Sequence, residues 1–538
     1  MTAGTDPRKP SPAWIVGPAF FFVLVLHAPL LRLPYFWDEA GYYIPAARDL
    51  LLSGSLIPHS TLSNAHPPLV MACLALGWKI FGYTPVVTRV VMLFLAAFAL
   101  AGVFELARSV SNTQIAAAST LCTALYPVFF AQSSLAHVDL AAAGFTFWAL
   151  AANSKGWIPA ATVWFSLAAL AKETAILVPV ALFLWKLLSR FVEVREPSPG
   201  LHLIRPKERD ANSATADVSA LSSLMLLFPL LPLGLWYAYH YHRTGFLFGN
   251  PEFFRYNVQA TLHPVRVVLA LGLRLWQVLG YLSLYLLTVA AALAMGFPPI
   301  EDDGKPRPRI SLDVQFSFLV ICGVYVLAMA VIGGAVLARY MLPIVPLVII
   351  VCVSTLHRRI SYWRWVIAIV VAGFVIGLFV NPPYGFSIED NLAYRDYILL
   401  HERAEYFLQE RHPGARVLTA WPASDELTRP YLGYVAHPTQ VLRIEDFTAE
   451  QLLAASELRG NFDLALVFST KYEPPHRWLG GWHRWQRWKM EYFGYHRDVP
   501  PAAAAQILGG HLVYEDHRRG EWIAVIEVDR IEEARLRH

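Results

Sequence analysis

The 538-residue chain is 56% hydrophobic and 16% charged, where an ordinary soluble domain is about 25% charged. Its formal net charge is only +4. No basic stripe with interleaved aromatics runs through the N-terminal part, which argues against nucleic acid as a partner.

The apolar character is concentrated between Ala13 and Val380, in runs approaching the roughly 20 residues needed to cross a hydrocarbon layer as a helix; the stretch from Asn381 to His538 reads as an ordinary soluble domain. Arg8 and Lys9 precede the first run, Ala13–Leu31, which reads as a membrane helix or anchor rather than a cleaved signal. Further spans are expected at about Val86–Leu106, Thr113–Phe130, Leu135–Ala152, Trp157–Leu170, Thr174–Leu188, Val218–Tyr239, Val267–Ala294, Val314–Val331, Leu337–Leu356 and Trp365–Val380. That makes about eleven crossings, with eleven to thirteen allowed. Pro67–Phe81 is apolar but shorter, and reads as a helix lying on or dipping into the outer face. The positive-inside rule then places Arg108, Lys155, the Arg190–Arg209 connection and Arg358–Arg359 in the cytoplasm. It places the loop after the first span and the C-terminal domain outside. The connection Arg190–Asp217, rich in charge, Pro and Ser, reads as flexible. Cys73, Cys122, Cys322 and Cys352 all fall in apolar runs and read as small buried hydrophobes.

Candidate chemistry starts in the first outer loop, LPYFWDEAGYYIPAARDLLLSG. Asp38 and Glu39 sit together at an aromatic-rich membrane boundary. A carboxylate there takes the proton of an attacking hydroxyl or amine; alternatively Asp38 only caps the following helix. His66 precedes the stiff Pro67-Pro68 pair and is placed to donate to a phosphate, or is a plain loop histidine. Asp139, beside His137, opens an apolar span, where an ionisable group is costly and functional by default. Lys172-Glu173 lies between two short spans, as a ligand contact or an interfacial ion pair. Arg339-Tyr340 lies near the outer end of a late span; an arginine there either grips a phosphate through several donors or snorkels to the headgroups. Arg89 is a weaker version of the same idea. His240 and His242 alternate without metal-ligand spacing, and no metal site is expected from them or from the Asp38–Glu39 pair. No P-loop, dinucleotide fingerprint or zinc signature occurs.

The combination WDE-GYY-AR, a PPL element, W-KIFG, a span-start Asp, a KE pair and ARYMLPIVP resembles the membrane glycosyltransferases of GT-C fold, in the group of protein O-mannosyltransferases and the aminoarabinose transferase of lipid A. The resemblance covers about residues 10–380. It implies a polytopic α-helical membrane domain, residues 1–380 with outer loop 32–85, followed by a soluble extracytoplasmic α/β domain, residues 381–538. It implies inverting transfer of a monosaccharide from a polyprenyl-phosphate donor, with Asp38, Glu39 and Asp139 as catalytic acids. His66, Arg89, Lys172, Glu173, Arg339 and Tyr340 are its candidate donor-phosphate and substrate contacts. Members that handle aminoarabinose usually carry lysine before the Pro-Pro, where this chain has His66. The implied partners are the lipid-linked donor, membrane lipids and an acceptor glycolipid, cell-wall polymer or protein; no cofactor is called for, and a divalent metal is left open. The implied setting is a bacterial inner membrane with the catalytic face toward the periplasm. A polyprenyl-linked sugar transporter or flippase and an oligosaccharide ligase are the rival readings, the former disfavoured by the lack of an internal repeat.

In the C-terminal domain Ala415–Ala420, Phe462–Phe468 and Trp522–Val528 read as strands, with helices over Asn391–Glu410 and Thr448–Leu458. That alternation suggests a sheet with covering helices. The basic, aromatic stretch Trp482–Arg497 reads as a lipid-facing or ligand-facing surface, or a packed cap.

Overall fold

The computed structural model describes residues 13–189, 192–194, 204–206, 222–251, 254–255, 261–474 and 481–529. Most of the connection Arg190–Asp217 lies outside the described residues. The chain divides into two compact units. One comprises Met1–Ala28, Ser63–Leu74 and Val90–Ile376; the other comprises Pro29–Leu62, Ala75–Arg89 and Gly377–His538.

The chain is a polytopic helical membrane protein with a β-containing C-terminal region. Among the described residues four helices are long and apolar enough to cross a membrane: Pro85–Val110, Ser222–Thr244, Pro264–Ala294 and Leu312–Val331. Trp14–Leu30, Leu69–Phe81, Ile158–Ala171 and Trp363–Phe379 are shorter apolar helices. In the first unit Val138–Ser154 packs along Ile158–Ala171, and Leu312–Val331 packs on Leu177–Leu188 and Pro264–Leu279. Small residues permit close approach in a lipid-solvated bundle. Gly144 shows this directly: a Cβ there would lie 2.9 Å from that of Ala99.

Several expected spans are interrupted: Thr113–Phe130 breaks at Tyr126 and Thr174–Leu188 opens in the 3-10 turn Glu173–Ile176, and two further breaks bear on the site. Between Pro264–Leu279 and Leu284–Ala294 the backbone turns through Leu282 and Ser283, both at positive φ (44° and 69°). The span expected to start at Leu337 instead opens as a 3-10 turn, Ala338–Met341, before the helix Val345–Arg359. Non-helical backbone at such depth survives only where protein or a cavity satisfies its polar groups. Here arginines do so: Arg266 donates to the carbonyls of Gly333 and Gly334 at 2.8 and 2.9 Å, and Arg274 to that of Leu337 at 2.7 Å.

In the second unit a five-stranded sheet is formed by β1 (Arg416–Ala420), β2 (Gln440–Ile444), β3 (Leu464–Phe468), β4 (Gly510–Arg518) and β5 (Glu521–Val528). The order is β2-β1-β3-β5-β4, with β1 parallel to both β2 and β3, and β5 antiparallel to β3 and β4. The helix Ala393–Arg411 lies against β4 and β5. Central β3 is buried throughout, as its apolar run Leu-Ala-Leu-Val-Phe requires.

The first outer loop was expected to go with the membrane helices; its residues 29–62 instead group with the sheet. The reason is a set of direct bonds and ring contacts. Tyr35 N–H donates to the Leu432 carbonyl at 3.3 Å, and Tyr434 Oη to the Tyr35 carbonyl at 3.1 Å. Trp37 meets Trp421 edge-on with centroids 5.2 Å apart. Gly41 lies so close to Trp421 that a Cβ would come 2.7 Å from the indole.

Candidate functional site

Two clusters of buried charge hold the residues singled out in the sequence, one in each unit.

In the second unit Trp37 adopts φ 43°, the left-handed region, and turns the chain into a one-turn π-helix, Glu39–Tyr43. A non-glycine residue held there is strained, and such strain gathers at functional positions. Asp38 stands half-exposed at the head of this turn and makes no capping bond to it, so the helix-cap reading does not account for it. Glu39 points the other way. It is wholly buried, accepts the Phe36 N–H at 2.8 Å and pairs with both terminal nitrogens of Arg89. Arg89 also donates to the Pro34 carbonyl at 2.8 Å. The two adjacent carboxylates therefore have unlike surroundings. Glu39 and Arg89, read from sequence as a second acid and a phosphate contact, form one buried fork-to-fork pair that fixes the backbone around Asp38.

The loop beyond is tied down by Asp49. One of its carboxylate oxygens accepts the His59 and Ser60 N–H groups, each at 2.7 Å, and the Ser60 hydroxyl at 2.9 Å. Burial alone would push this carboxyl up; the donors outweigh it and hold it below the usual carboxylate range.

In the first unit Asp139, in the first turn of the helix Val138–Ser154, is buried between two cations. Lys172 Nζ bonds its Oδ1, and Arg339 Nε lies 3.4 Å from its Oδ2. Arg339 reaches His137 at 2.9 Å, and His137 in turn contacts Gln132 Oε1 at 2.7 Å. The Tyr340 ring is the hub: Lys172 Nζ sits 3.9 Å from its centroid, with the guanidinium carbons of Arg274 and Arg339 at 5.5 and 5.6 Å. Lys172 lies at the extended break after Ile158–Ala171, and Arg339 in the 3-10 turn, so interrupted helices deliver both. His66 Nδ1 lies 3.0 Å from Glu173 Oε2, next in the chain to Lys172. The sequence residues Asp139, Lys172, Arg339 and Tyr340 are thus brought together, with His66 and Glu173 paired beside Lys172.

Arg274 was missed. It lies in the middle of the apolar run Val-Val-Leu-Ala-Leu-Gly-Leu-Arg-Leu-Trp, and an arginine buried at that depth is itself the signal. Around the Tyr340 ring lie three fixed cations, two of which, Lys172 and Arg339, flank the Asp139 carboxylate. Three cations gathered on one ring in a buried setting give the site a positive potential. A phosphate fits it in sign and in its several acceptor oxygens.

A family model described as dolichyl-phosphate-mannose-protein mannosyltransferase matches residues 65–204, the stretch that carries His66, Asp139, Lys172 and Glu173. No curated protein matches the chain. Among solved structures, ArnT from Cupriavidus metallidurans bound to undecaprenyl phosphate is 14% identical, with 96% of this chain and 98% of that chain covered, at a TM-score of 0.53. The same protein in the apo state is 15% identical over the same shares, also at 0.53. The chain therefore has the fold of the GT-C membrane glycosyltransferases.

Proposed function

We propose that this protein transfers a monosaccharide from a polyprenyl-phosphate donor to an acceptor hydroxyl or amine, outside the cytoplasm and with inversion at the anomeric carbon. The observation that carries the reading is the gathering of three cations on the Tyr340 ring. Arg339 and Lys172 hold the donor phosphate and offset the charge it gains as the anomeric C–O bond breaks, which makes electrostatic stabilisation the main catalytic term. Asp139 positions both cations, and Tyr340 keeps them at a fixed spacing. Arg274 adds positive potential from its helix. Asp38 accepts the acceptor's proton as the new glycosidic bond forms, and polyprenyl phosphate leaves with the bonding pair. The Glu39–Arg89 pair positions Asp38 and touches no substrate. The fold shared with a protein solved with undecaprenyl phosphate supports a lipid-phosphate donor. The acceptor class is a glycolipid, a cell-wall polymer or a protein, and the host membrane a bacterial inner membrane.

The test is transfer of labelled sugar from synthetic polyprenyl-phosphate monosaccharides in membranes or detergent. The expected result is labelled acceptor with the wild type, and a loss of about 10²–10⁴-fold for Asp38→Asn at equal expression, the range for removing a general base. Full activity in Asp38→Asn would remove Asp38 as base. Movement of intact lipid-linked sugar across the bilayer, without transfer, would replace the enzyme reading by that of a flippase.

A further inference from the structure

The second unit holds a second buried charge cluster that the transfer reaction does not use. Tyr397, His401 and Glu405 follow one another at i, i+4 and i+8 on the helix Ala393–Arg411 and so share one face. Glu426, from the short helix Ala423–Thr428, meets them. All are at most 1% exposed. His401 Nδ1 lies 2.6 Å from Glu426 Oε2 and 3.9 Å from Glu405 Oε1. Among the described residues no donor bonds either Glu405 oxygen or Glu426 Oε1, and the Glu405 and Glu426 carboxyls lie within hydrogen-bond reach of each other. The His401 ring is fixed by stacking on Tyr397 at 4.0 Å and by an edge contact with Phe468 at 4.6 Å.

Two buried carboxylates facing each other with only a histidine between them is a costly arrangement. A single proton shared between Glu405 and Glu426 Oε1 would satisfy one oxygen of each and leave the second Glu405 oxygen bare. One imidazole nitrogen and two carboxylates, with ligand atoms all within 4.8 Å of one another, is a donor set that a small divalent ion completes. Zinc bonds imidazole nitrogen and carboxylate oxygen at about 2.0–2.2 Å, so modest side-chain rotations close this set on a central ion. If Glu405 binds through both its unpartnered oxygens, the donors number four and no water is needed.

We infer that His401, Glu405 and Glu426 form a structural divalent-metal site, zinc being the fitting ion, built into the C-terminal unit. Burial on every side marks it as a closed staple between the helix Ala393–Arg411 and the segment carrying Glu426, with no open position for substrate. It is independent of the transfer reaction, and its test reads metal rather than activity.

Full-length protein, purified in detergent without a histidine tag and dialysed against metal-depleted buffer, is analysed for metal by mass spectrometry. The expected result is about one zinc per chain, recovered after chelation and re-addition of zinc. Zinc re-addition raises the Tm of the wild type. Glu405→Gln and Glu426→Gln, near-isosteric changes that each remove one ligating charge, are expected to bind at least tenfold less and to lose that response. A wild type that takes up no zinc, manganese or cobalt and whose Tm ignores chelator overturns the inference and leaves a shared-proton carboxyl pair. Undiminished zinc in Glu405→Gln overturns it equally. If neither variant folds, the wild-type metal content and chelator response still decide.

Discussion

The two units each bury a cluster of charge, and the clusters differ in sign. Around Tyr340 three cations gather, and each is tied to a ring, a carboxylate or a carbonyl. Around His401 there are two carboxylates, and among the described residues no fixed cation is bonded to them. Burial, and then the neighbouring Glu426, push the Glu405 carboxyl well above the usual carboxylate range. The Glu39–Arg89 pair is the balanced case between them, one charge against one. The difference is one of sign: a cationic cluster suits an anionic ligand such as the proposed phosphate, and a carboxylate cluster suits the inferred metal ion. A balanced pair calls for nothing and acts on the fold.

The contrast can be broken at its cationic end with the largest effect. Arg339→Ala and Lys172→Met are each expected to cut transfer about 10²–10³-fold, the range for removing one preorganised donor from a developing anion. The measurement is single-turnover transfer with saturating donor, beside binding of unlabelled polyprenyl phosphate. Loss of transfer with lipid-phosphate binding unchanged would detach the cations from the phosphate.

The balanced pair sharpens the comparison through stability. Removing one partner leaves the other charge buried and bare, so Glu39→Leu or Arg89→Met alone is expected to cost about 3–5 kcal/mol. The double variant should recover much of it, since two apolar groups leave no orphaned charge. Thermal unfolding in one detergent checks this; singles that cost nothing would show the pair to be incidental.

The smallest expected effect is at Asp49, whose folded-state pKa is depressed. Its stabilising share is present above the unfolded value of about 3.9 and is lost as pH falls through the folded value. Asp49→Asn is expected to cost about 1–3 kcal/mol at neutral pH and progressively less below about pH 4. A pH-independent difference between wild type and variant would contradict that account.

Much of this was legible in the sequence, and the gaps have physical causes. Isolated charges in apolar surroundings stand out, so Asp139, Lys172, Arg339 and the Asp38–Glu39 pair were visible, as were buried β1 and β3. Pairing at long separation is not visible: Glu39 and Arg89 are 50 positions apart, and Glu426 is 25 from His401. Strand β2 was missed because Gln440 and Arg443 interrupt its apolar residues and leave it half-exposed, and β4 because Gly-His-Leu-Val-Tyr-Glu-Asp-His-Arg is polar and half-exposed. Both are edge strands, where one side of the ladder faces no neighbour and the apolar signal weakens. The broken spans were read as continuous because hydropathy does not register a turn at Leu282–Ser283 or a 3-10 start at Ala338.

The central claim is that the cation cluster around Tyr340 serves a lipid-phosphate leaving group. The most direct measurement follows labelled sugar on a polyprenyl-phosphate donor in one turnover, with wild type and Arg339→Ala side by side. The account predicts that label leaves the lipid for the acceptor with the wild type, and stays on the lipid with Arg339→Ala. Label that stays on the lipid with the wild type for every sugar and acceptor class offered, or that leaves equally fast in both proteins, would contradict it.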